Sequence, residues 1–377
     1  ALLASSLVTL FLGHLAAWLH FRRSASSTLP TPLPKISILK PVEGAGEETY
    51  EAFASFCKIA YNGRLEVLVG TIQQDDAITP IVDRLRKDYP DREIRLVFAE
   101  LQGTNRKTSI MEALWNEASG EYLFFSDADV AVDRDYLQKL LPLLAKPNVG
   151  CLTCLPRGVG ARTLGGKLIA LHYDFNYLPQ WMLAIRTTGI KWAIGHTMAV
   201  PREVLVRLGG FKAWLNYLAD DYELGYRATR LGLKVLVPPY LIDCLMPHET
   251  LRAAISRLQR WKRTMRRARG PAFMGSILTY PVFWASLVVL LQPTLWWSWA
   301  SLGGTLAIRY FLAAWLQSFV RLPDWKRSWW LLPFVDIVEG ITFIGAYTGK
   351  NIYWAGRRYH LMSDGTLANR PKNPTGQ

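Results

Sequence analysis

Short apolar runs alternate with amphipathic stretches between residues 35 and 155. The predicted strands cover 35–40, 65–72, 93–98, 121–127 and 149–155. The predicted helices between them cover 47–59, 78–89, 107–118 and 134–145. Buried strands that alternate with helices of this length are typical of a mostly parallel sheet with helices on both faces. The pattern therefore predicts an α/β domain whose ligands bind beyond the carboxyl ends of its strands.

Long apolar segments flank this domain on both sides. Residues 1–21 contain no Asp, Glu, Lys or Arg, and Arg22 and Arg23 follow directly. A stretch of this length crosses a bilayer once, and the positive residues after it favour a cytoplasmic flank. A cleaved signal peptide is the alternative, but its charges precede the apolar run. We therefore expect a membrane anchor.

The C-terminal third holds the other apolar segments. Residues 272–292 carry no charge, and residues 294–320 carry only one, so each is a candidate to cross a bilayer. Residues 329–348 are apolar but include Asp336 and Glu339. Because carboxylates inside a membrane are costly and usually face protein or water, this segment is either a third C-terminal span or a re-entrant or interfacial helix. The polar residues that follow it favour the re-entrant alternative.

The composition agrees with a chain that is partly embedded in a membrane. Hydrophobic residues make up 50% of the 377 residues and 15 residues are Trp, which is too apolar for an ordinary soluble enzyme. The four cysteines give no disulfide framework. Cys151 and Cys154 form a C-x-x-C in the apolar run VGCLTCL, without a second Cys or His pair at zinc spacing. We interpret them as strand residues of a reduced domain that faces the cytosol.

A basic segment precedes the C-terminal apolar segments. Residues 249–269 contain eight positive charges with interleaved apolar residues, in a chain whose formal net charge is +14. This pattern predicts an amphipathic helix that lies on anionic lipid headgroups. Nucleic-acid binding is the alternative for a basic patch, but the charge lies beside a membrane segment and no nucleic-acid motif accompanies it. We therefore expect no nucleic-acid partner.

These features divide the chain into six parts. The parts are an N-terminal transmembrane anchor (1–23), a Ser/Pro-rich linker (24–34), the α/β domain (35–248), the basic interface helix (249–270), the C-terminal transmembrane or re-entrant helices (271–350) and a polar tail (351–377). The layout predicts an integral membrane protein with its α/β domain on the cytosolic face.

Acidic pairs follow two of the predicted strands. Asp75 and Asp76 come after the second strand, and Asp127 and Asp129 end the fourth strand as S-D-A-D. The D-x-D spacing at a strand end allows two carboxylates to point toward one hard divalent cation, such as Mg²⁺ or Mn²⁺. Loop capping is the alternative for either pair alone.

A third acidic cluster begins a predicted helix. Asp220, Asp221 and Glu223 stand where carboxylates also cap free backbone N–H groups and complement the helix dipole. Asn105 and Lys107 begin another helix, whose positive dipole end suits an anionic ligand, with a solvated loop as the alternative. Three acidic clusters at strand ends and helix starts favour one shared site over capping.

In order along the chain, these residues resemble the D, D, D, (Q/R)xxRW series of family-2-like inverting glycosyltransferases. The matching residues are Asp75–Asp76, Asp127, Asp220–Asp221–Tyr222 and Arg257–Leu258–Gln259–Arg260–Trp261. The runs ISILKPVEG (36–44), NRK (105–107) and DDYELG (220–225) resemble more closely the ceramide glucosyltransferase family, glycosyltransferase family 21, which includes bacterial relatives that glycosylate hopanoid lipids. The resemblance covers roughly residues 35–270 and the layout of the anchor.

The resemblance implies a GT-A fold, which is a Rossmann-like α/β domain, and a UDP-linked sugar donor. Asp75 and Asp76 are then expected to contact the uracil and the ribose. Asp127 and Asp129 are expected to hold Mg²⁺ or Mn²⁺ against the diphosphate, although animal ceramide enzymes commonly have D-S-G at this position. Asp221 is expected to act as the general base on the acceptor hydroxyl.

The same resemblance implies further contacts with both substrates. Arg260 and Trp261 are expected to close over the donor and the acceptor. The other expected donor contacts are Asn105, Lys107, Asp220, Arg257 and Gln259. The candidates on the acceptor side are His196, Trp192 and Trp214, although an exposed His at a strand entry is more often structural.

The residues and the resemblance predict an inverting membrane hexosyltransferase, similar to ceramide glucosyltransferase, in the bacterial inner membrane. It is expected to move glucose or a related hexose from a UDP-sugar to the hydroxyl of a membrane lipid such as ceramide. One alternative is UDP-N-acetylglucosamine-dependent glycosylation of a hopanoid lipid. A processive polysaccharide synthase is another, although such enzymes generally have more membrane spans. A membrane-anchored scaffold without enzymatic activity is the third.

Overall fold

The structure is a computed structural model that describes residues 1–22, 28–46, 48–72, 77–246, 248–349, 351–354 and 356–369. The chain forms two compact units, and it passes from one to the other several times. The helical unit comprises Ala1–Ala25, Pro156–Ile190 and Asp243–Gly349. The sheet unit comprises Ser26–Leu155, Lys191–Ile242 and Lys350–Gln377.

The strands lie mainly in the sheet unit. In chain order they are β1 (Ile36–Pro41), β2 (Leu65–Thr71), β3 (Glu93–Phe98), β4 (Tyr122–Ser126), β5 (Val130–Ala131), β6 (Val149–Thr153), β7 (Leu155–Val159), β8 (Thr197–Pro201), β9 (Lys234–Leu236), β10 (Leu241–Leu245), β11 (Asn351–Trp354), β12 (Arg357–Leu361) and β13 (Leu367–Asn369). Seven of them form one sheet in the order β3-β2-β1-β4-β8-β6-β9. The pairs from β3 to β4 and the pair β6–β9 are parallel, whereas β8 runs antiparallel to both of its neighbours. The predicted mostly parallel α/β sheet is therefore confirmed.

The helices belong to both units. In chain order they are α1 (Leu2–Phe21), α2 (Thr49–Cys57), α3 (Ile78–Asp88), α4 (Arg106–Glu117), α5 (Tyr136–Leu144), α6 (Leu164–His172), α7 (Leu178–Thr188), α8 (Arg202–Leu208), α9 (Asp220–Arg230), α10 (Leu251–Arg269), α11 (Pro281–Leu291), α12 (Trp296–Phe319) and α13 (Leu332–Gly345). A π-helical turn (Tyr173–Tyr177) joins α6 to α7, and 3₁₀ turns cover Lys212–Trp214, Gly270–Thr279 and Lys326–Leu331.

The core of the sheet unit follows from its apolar strands. Every residue of β1 and β2 is buried, as expected for strands that are covered on both faces. Helix α4 approaches β2 closely at Gly70, where an added Cβ atom would lie 2.6 Å from Ile110 and 2.8 Å from Leu114. A residue without a side chain is therefore required at this crossing.

The cysteines are core residues rather than parts of a reactive site. Cys57, Cys151, Cys154 and Cys244 are all buried, and none of them forms a disulfide within the described part of the chain. Cys151 lies in β6, and Cys154 lies between β6 and β7. Burial raises the pKa of the Cys151 thiol to about 12, which keeps it protonated and unreactive.

The C-terminal apolar helices differ from the prediction. The segment 272–292 is not one straight helix, because the 3₁₀ turn and α11 are separate elements and the helix pair Leu251–Thr279 and Pro281–Leu291 bends by 67°. Pro281 explains the break, since proline lacks an N–H group to continue the preceding helix. The segment 272–292 is therefore divided between two elements, which form either a broken span or a re-entrant loop.

Two described helices are long and apolar enough to cross a membrane, α1 and the helix Lys326–Gly345. A third candidate exists if the bent pair counts as one span. Helix α12 is also long, at 24 residues, but it is not one of these candidates.

A buried ion network surrounds Glu339 in the helical unit. One carboxylate oxygen of Glu339 lies 2.6 Å from His172 Nδ1, and the other pairs with the ammonium of Lys262. Lys262 also donates a hydrogen bond to the Tyr280 hydroxyl. The carboxylate that the sequence places in an apolar segment therefore faces cationic and polar protein groups.

A second buried network surrounds Asp336. Arg309 of α12 is fully buried and lies 3.2 Å from Asp336 Oδ1. The side-chain amide of Asn176 donates to the same carboxylate at 2.9 Å and accepts from Arg309. These contacts join α12 and α13 to the π-helical turn.

The predicted basic helix is α10, and part of its charge faces protein. Besides Lys262, Arg257 lies 3.2 Å from Glu249, and Arg263 donates to the Thr348 carbonyl at 2.9 Å. These cations therefore do not lie free on a surface for lipid headgroups.

The segment 351–377 was expected to be a polar tail, and its described part is a folded sheet. Strands β11, β12 and β13 form an antiparallel meander that belongs to the sheet unit. Ile352 pairs with Tyr359, and Leu361 pairs with Leu367. The described residues of this tail, 351–354 and 356–369, are therefore folded strands and turns.

Candidate active site

Asp127 directly follows β4, which lies between β1 and β8 in the middle of the sheet. Its N–H donates to the His196 carbonyl at 3.1 Å, which ties it to the residue before β8. Lys40, a fully buried residue of β1, donates to the Asp127 and Val130 carbonyls at 2.5 and 3.2 Å. Sequence reasoning missed Lys40, although a lysine inside a buried apolar strand signals a required partner.

Lys107 is the cation at the centre of the cluster. It lies in the first turn of α4, whose N-cap Asn105 accepts a hydrogen bond from the Thr108 N–H at 3.1 Å. Its Nζ atom lies 2.6 Å from Asp127 Oδ1 and 3.6 Å from Asp220 Oδ2. Burial lowers the pKa of Lys107, but the two carboxylates outweigh this effect and raise the pKa well above its usual value. The ammonium group is therefore permanently charged.

Asp220 and Asp221 begin α9, as the sequence predicted. Asp221 accepts a hydrogen bond from the Tyr222 N–H at 2.8 Å, and its carbonyl accepts from the Ala193 N–H at 3.3 Å. An added Cβ atom at Gly195 would lie 3.0 Å from the Asp221 carboxylate. The segment before β8 and the start of α9 are thus in direct contact.

Gly225 permits this close approach one turn later in α9. A Cβ atom added there would lie 2.2 Å from the Ala193 nitrogen and 2.5 Å from the Trp192 Cα atom. No ordinary side chain fits at that distance, since the obstacles are backbone atoms. Gly225 therefore sets how near the helix that carries Asp221 lies to residues 192–195.

The pKa values of the three carboxylates around Lys107 are shifted in different directions. Burial raises the pKa of Asp127, but the charges of Lys107 and His196 outweigh it and hold the pKa below its usual value. Burial and the Asp127 charge raise the pKa of Asp220, although Lys107 opposes them. Burial and the Asp220 charge raise the pKa of Asp221 to about 7. Asp221 is therefore poised to accept a proton near neutral pH.

The acceptor-side candidates have different surroundings. Trp192 stacks on Tyr222 at a centroid distance of 6.2 Å, and Tyr222 stacks on Tyr226 at 5.7 Å. His196 contributes its carbonyl and its charge to Asp127. Trp192 and His196 therefore adjoin the cluster, and their acceptor role stays a prediction.

Trp214 has the environment of a core residue. Its side chain is 1% exposed and packs edge-on against Phe211 at 5.3 Å. The guanidinium of Arg227 lies 5.0 Å from the Trp214 ring. In this structure Trp214 has no surface for an acceptor, which differs from the expectation.

Asp75 and Asp76 lie outside the described residues. The other predicted contacts that are not in the cluster belong to α10 in the helical unit. Gln259 donates to the Thr342 carbonyl at 3.3 Å, and Arg257 pairs with Glu249.

Trp261 stacks on His172 and Tyr173 at centroid distances of 5.9 and 5.7 Å. The Arg260 carbonyl accepts a hydrogen bond from Thr264 at 2.9 Å. The expected contacts of Arg257, Gln259, Arg260 and Trp261 with substrates stay predictions.

The carboxylates fit a divalent cation that is shared with a substrate. Asp129 lies in the turn between Asp127 and β5 and is partly exposed. Asp220 Oδ2 is buried, and no hydrogen-bond donor within the described ranges reaches it. Those ranges contain no group of three Asp, Glu, His or Cys residues arranged as a complete metal site. Mg²⁺ commonly binds one or two carboxylates together with substrate phosphates, so two aspartates suffice.

Comparison with known proteins shows which family and which relatives the chain is similar to. The family model described as Glycosyl transferase family 21 matches residues 1–367. Ceramide glucosyltransferase 1 of Caenorhabditis elegans is 22% identical over 256 residues, which cover 67% of this chain and 54% of that protein. Beta-monoglucosyldiacylglycerol synthase of Synechocystis sp. is 24% identical over 325 residues, which cover 84% of this chain and 63% of that protein. The chain thus spans about half to three fifths of the length of these relatives.

A solved structure supports the same fold. The mannosyltransferase PcManGT from Pyrobaculum calidifontis, in complex with GDP-Man and Mn²⁺, aligns with 91% of this chain and 99% of its own chain. The TM-score is 0.52 and the sequence identity is 21%. At this identity the likeness concerns the fold alone, and it confirms the predicted GT-A architecture.

Proposed function

The chain belongs to glycosyl transferase family 21, and on this premise we propose that it is an inverting membrane glycosyltransferase. It moves glucose or a related hexose from a UDP-sugar to the hydroxyl of a membrane lipid. The observation that carries this proposal is the group of Asp127, Asp220 and Asp221 around Lys107 beside the middle of the GT-A sheet. The names of the ceramide and diacylglycerol relatives support a lipid acceptor such as ceramide or a diacylglycerol.

In this proposal Asp221 is the general base. A sugar-accepting hydroxyl is a weak nucleophile, so a carboxylate must take its proton as the new bond forms. A pKa of about 7 keeps Asp221 partly ionised at neutral pH and makes it a stronger base than an exposed aspartate. The hydroxyl oxygen bonds to the anomeric carbon as the bond to the UDP oxygen breaks, and this direct displacement inverts the anomeric centre.

Lys107 and the surrounding acids bind the donor. Lys107 already holds its charge at the start of α4, where the helix dipole also favours an anion. Asn105 keeps this helix start in place through its capping hydrogen bond. Asp220 is the buried carboxylate of this donor site.

Asp127 and Asp129 would hold Mg²⁺ or Mn²⁺, which stabilises negative charge on the leaving diphosphate when it is bound. Asp75 and Asp76 contact the nucleoside in this proposal. The predicted contributions of Arg257, Gln259, Arg260 and Trp261 to donor and acceptor binding belong to the same proposal.

The proposal places the chain in the bacterial inner membrane, with the sheet unit on the cytosolic face. Helices α1 and Lys326–Gly345 have the length and composition to cross a bilayer. Large apolar side chains that are exposed on these helices, such as Phe11, Phe334 and Ile341, support contact with lipid. Exposed cations of α10, such as Arg252, are those proposed to meet anionic headgroups.

A transfer assay tests the proposal. Membranes that contain the full chain are incubated with radiolabelled UDP-glucose or UDP-N-acetylglucosamine and with ceramide, diacylglycerol or a hopanoid polyol in mixed micelles. We expect a labelled glycolipid whose new linkage is β when the donor linkage is α. Transfer to a hopanoid alone selects that acceptor. Label in a sugar polymer without any glycolipid would overturn the proposal.

A further inference from the structure

The meander β11–β13 has one buried face, although its sequence is largely polar. Ile352, Tyr359, Leu361 and Leu367 form an apolar cluster with Leu218, and each of the five is at most 6% exposed. Leu218 lies two residues before Asp220. The C-terminal strands therefore pack against the segment that leads into the carboxylate cluster.

Backbone hydrogen bonds join the meander to this segment. The Leu218 N–H donates to the Gly365 carbonyl at 3.1 Å, and the Leu367 N–H donates to the Asn216 carbonyl at 2.7 Å. Tyr217 and Thr366 thus form an antiparallel bridge. Gly365 has a φ of +88°, which glycine adopts without strain and which turns the chain into this pairing.

The opposite side of the same segment is bonded to the start of α4. The Asn216 side-chain oxygen accepts from both the N–H and the hydroxyl of Thr104 at 2.9 Å. The Asn105 amide donates to the Tyr217 carbonyl at 2.7 Å, and the Asn105 N–H donates to the Leu215 carbonyl at 3.0 Å.

Residues 215–218 are consequently held between two elements. One edge is bonded to residues 104–105, two positions before Lys107, and the other edge is bonded to residues 365–367. Asp220 follows two positions later along the chain. The spacing between the lysine and the aspartates therefore depends on how this segment is fixed on both edges.

We propose that the meander, described at residues 351–354 and 356–369, is a positioning element of the transferase site. They fix the segment 215–218 against the start of α4 and so hold Asp220 and Asp221 at their distance from Lys107. The inference rests on the proposed function, because it concerns the geometry of that site. None of these residues touches a reacting atom in this proposal.

The test compares variants on the two faces of β11 in the full chain, in membranes. Ile352→Ala removes a contact with Leu218, and Tyr353→Ala is the matched control, because Tyr353 is 64% exposed on the opposite face of the same strand. Turnover is measured with the UDP-sugar that the unaltered chain uses. Sites are counted by binding of radiolabelled UDP, so that turnover is expressed per folded site.

We expect Ile352→Ala to lower kcat per UDP-binding site by roughly tenfold to a hundredfold, the size of effect that a misplacement of about 1 Å produces. The KM for the donor should rise at the same time, because Lys107 and Asp220 bind the donor in the proposed function. Tyr353→Ala should change neither constant. Leu367→Ala is the second variant and should behave like Ile352→Ala. An unchanged kcat per site in both buried-face variants would overturn the inference.

A disulfide cross-link tests whether the lost kcat per site can be restored. Tyr217 and Thr366 form a non-hydrogen-bonded antiparallel pair. The Cα atoms of such pairs lie about 4.5 Å apart, which is within the range of about 4.4–6.8 Å that a disulfide spans. Tyr217→Cys with Thr366→Cys, added to Ile352→Ala, should restore kcat per site when oxidised and lose it again on reduction.

A loss of UDP-binding sites in proportion to activity would show that the meander only stabilises the fold, and positioning would then be refuted. Failure of the unaltered chain to bind UDP or to transfer sugar would contradict the proposed function instead. The two failures are therefore distinguishable.

Discussion

Buried carboxylates occur in both units, and their partners differ. In the helical unit, Glu339 faces His172 and Lys262, while Asp336 faces Arg309 together with the amide of Asn176. Each of these two carboxylates therefore has a cationic side chain of its own, Lys262 for Glu339 and Arg309 for Asp336.

In the sheet unit, Asp127, Asp220 and Asp221 share the ammonium of Lys107. The two regions differ in burial, because Asp336 and Glu339 are fully buried, whereas the side chain of Asp127 is 31% exposed. They also differ in charge balance. Each helical network is matched, since its carboxylate has a cation of its own, whereas the cluster around Lys107 is unmatched and includes Asp221, whose pKa is raised to about 7. Charge imbalance thus distinguishes this cluster from the two helical networks.

The largest expected effect comes from the unmatched carboxylate. We expect Asp221→Asn to lower kcat by roughly 10²–10⁴-fold, the range that general base catalysis contributes. The affinity for UDP should be unchanged, since Asp221 acts on the acceptor. Initial transfer rates and calorimetric titration with UDP measure the two quantities.

Asp83→Asn is the control for this variant, because Asp83 is a 63%-exposed carboxylate on α3 that pairs with Arg86. It should leave both quantities unchanged. Loss of UDP binding in Asp221→Asn would reassign that residue to the donor site.

The next effect concerns the matched network. Arg309→Met leaves Asp336 buried without its cation and should cost about 3–5 kcal/mol of unfolding free energy. Arg309→Met combined with Asp336→Leu should recover most of this loss, because apolar residues replace the whole pair. Chemical unfolding in detergent micelles measures the change, with the exposed Arg327→Met as the control. Reduced transfer per folded molecule in the double variant would show that this network has a role beyond stability.

A smaller effect is expected at Gly225, where α9 contacts the backbone of Trp192 and Ala193. Gly225→Ala places a methyl group against the backbone of Trp192 and Ala193 and should cost about 1–3 kcal/mol of unfolding free energy, as overpacking does. Gly303→Ala is the control, because an added Cβ atom there meets nothing within 4 Å. Equal stability of the two variants would contradict the close approach of α9.

The smallest effect is a shift along the pH axis. Protonated Asp221 cannot accept the acceptor's proton, so kcat should fall as the pH drops below about 7 and reach its plateau above that value. Asp220→Asn removes a negative neighbour and should move this acidic limb to lower pH by up to about one unit. Transfer rates between pH 5 and pH 9, in roughly half-unit steps, measure it. An unmoved limb would show that Asp220 does not set the ionisation of Asp221.

Much of the sheet unit follows from the sequence. Apolar runs with intervening amphipathic stretches predicted β1 to β4 and α2 to α5 to within a few residues, since these elements are long and strongly patterned. The rule that ligands bind beyond strand ends also brought Asp127, Lys107 and Asp220 into one group.

Other features depend on contacts that no local pattern shows. Ile352 and Tyr359 stand among charged and polar residues, and their partner Leu218 is far away along the chain. The local sequence pattern of the meander therefore predicts a polar tail. Trp214 packs against Arg227 of α9 as well as against the nearby Phe211, and the contact with α9 is not visible in the local sequence. Composition alone likewise does not show the 67° bend before α11.

The order of the two units along the chain has a consequence for biosynthesis. The strands β11 to β13 are translated after α10 to α13, and in the proposed positioning role they complete a site whose other parts lie between residues 104 and 221. On that proposal a nascent polypeptide on the ribosome can form the sheet early but cannot finish the site until the apolar helices have been synthesised. An incompletely synthesised chain would then lack a finished site.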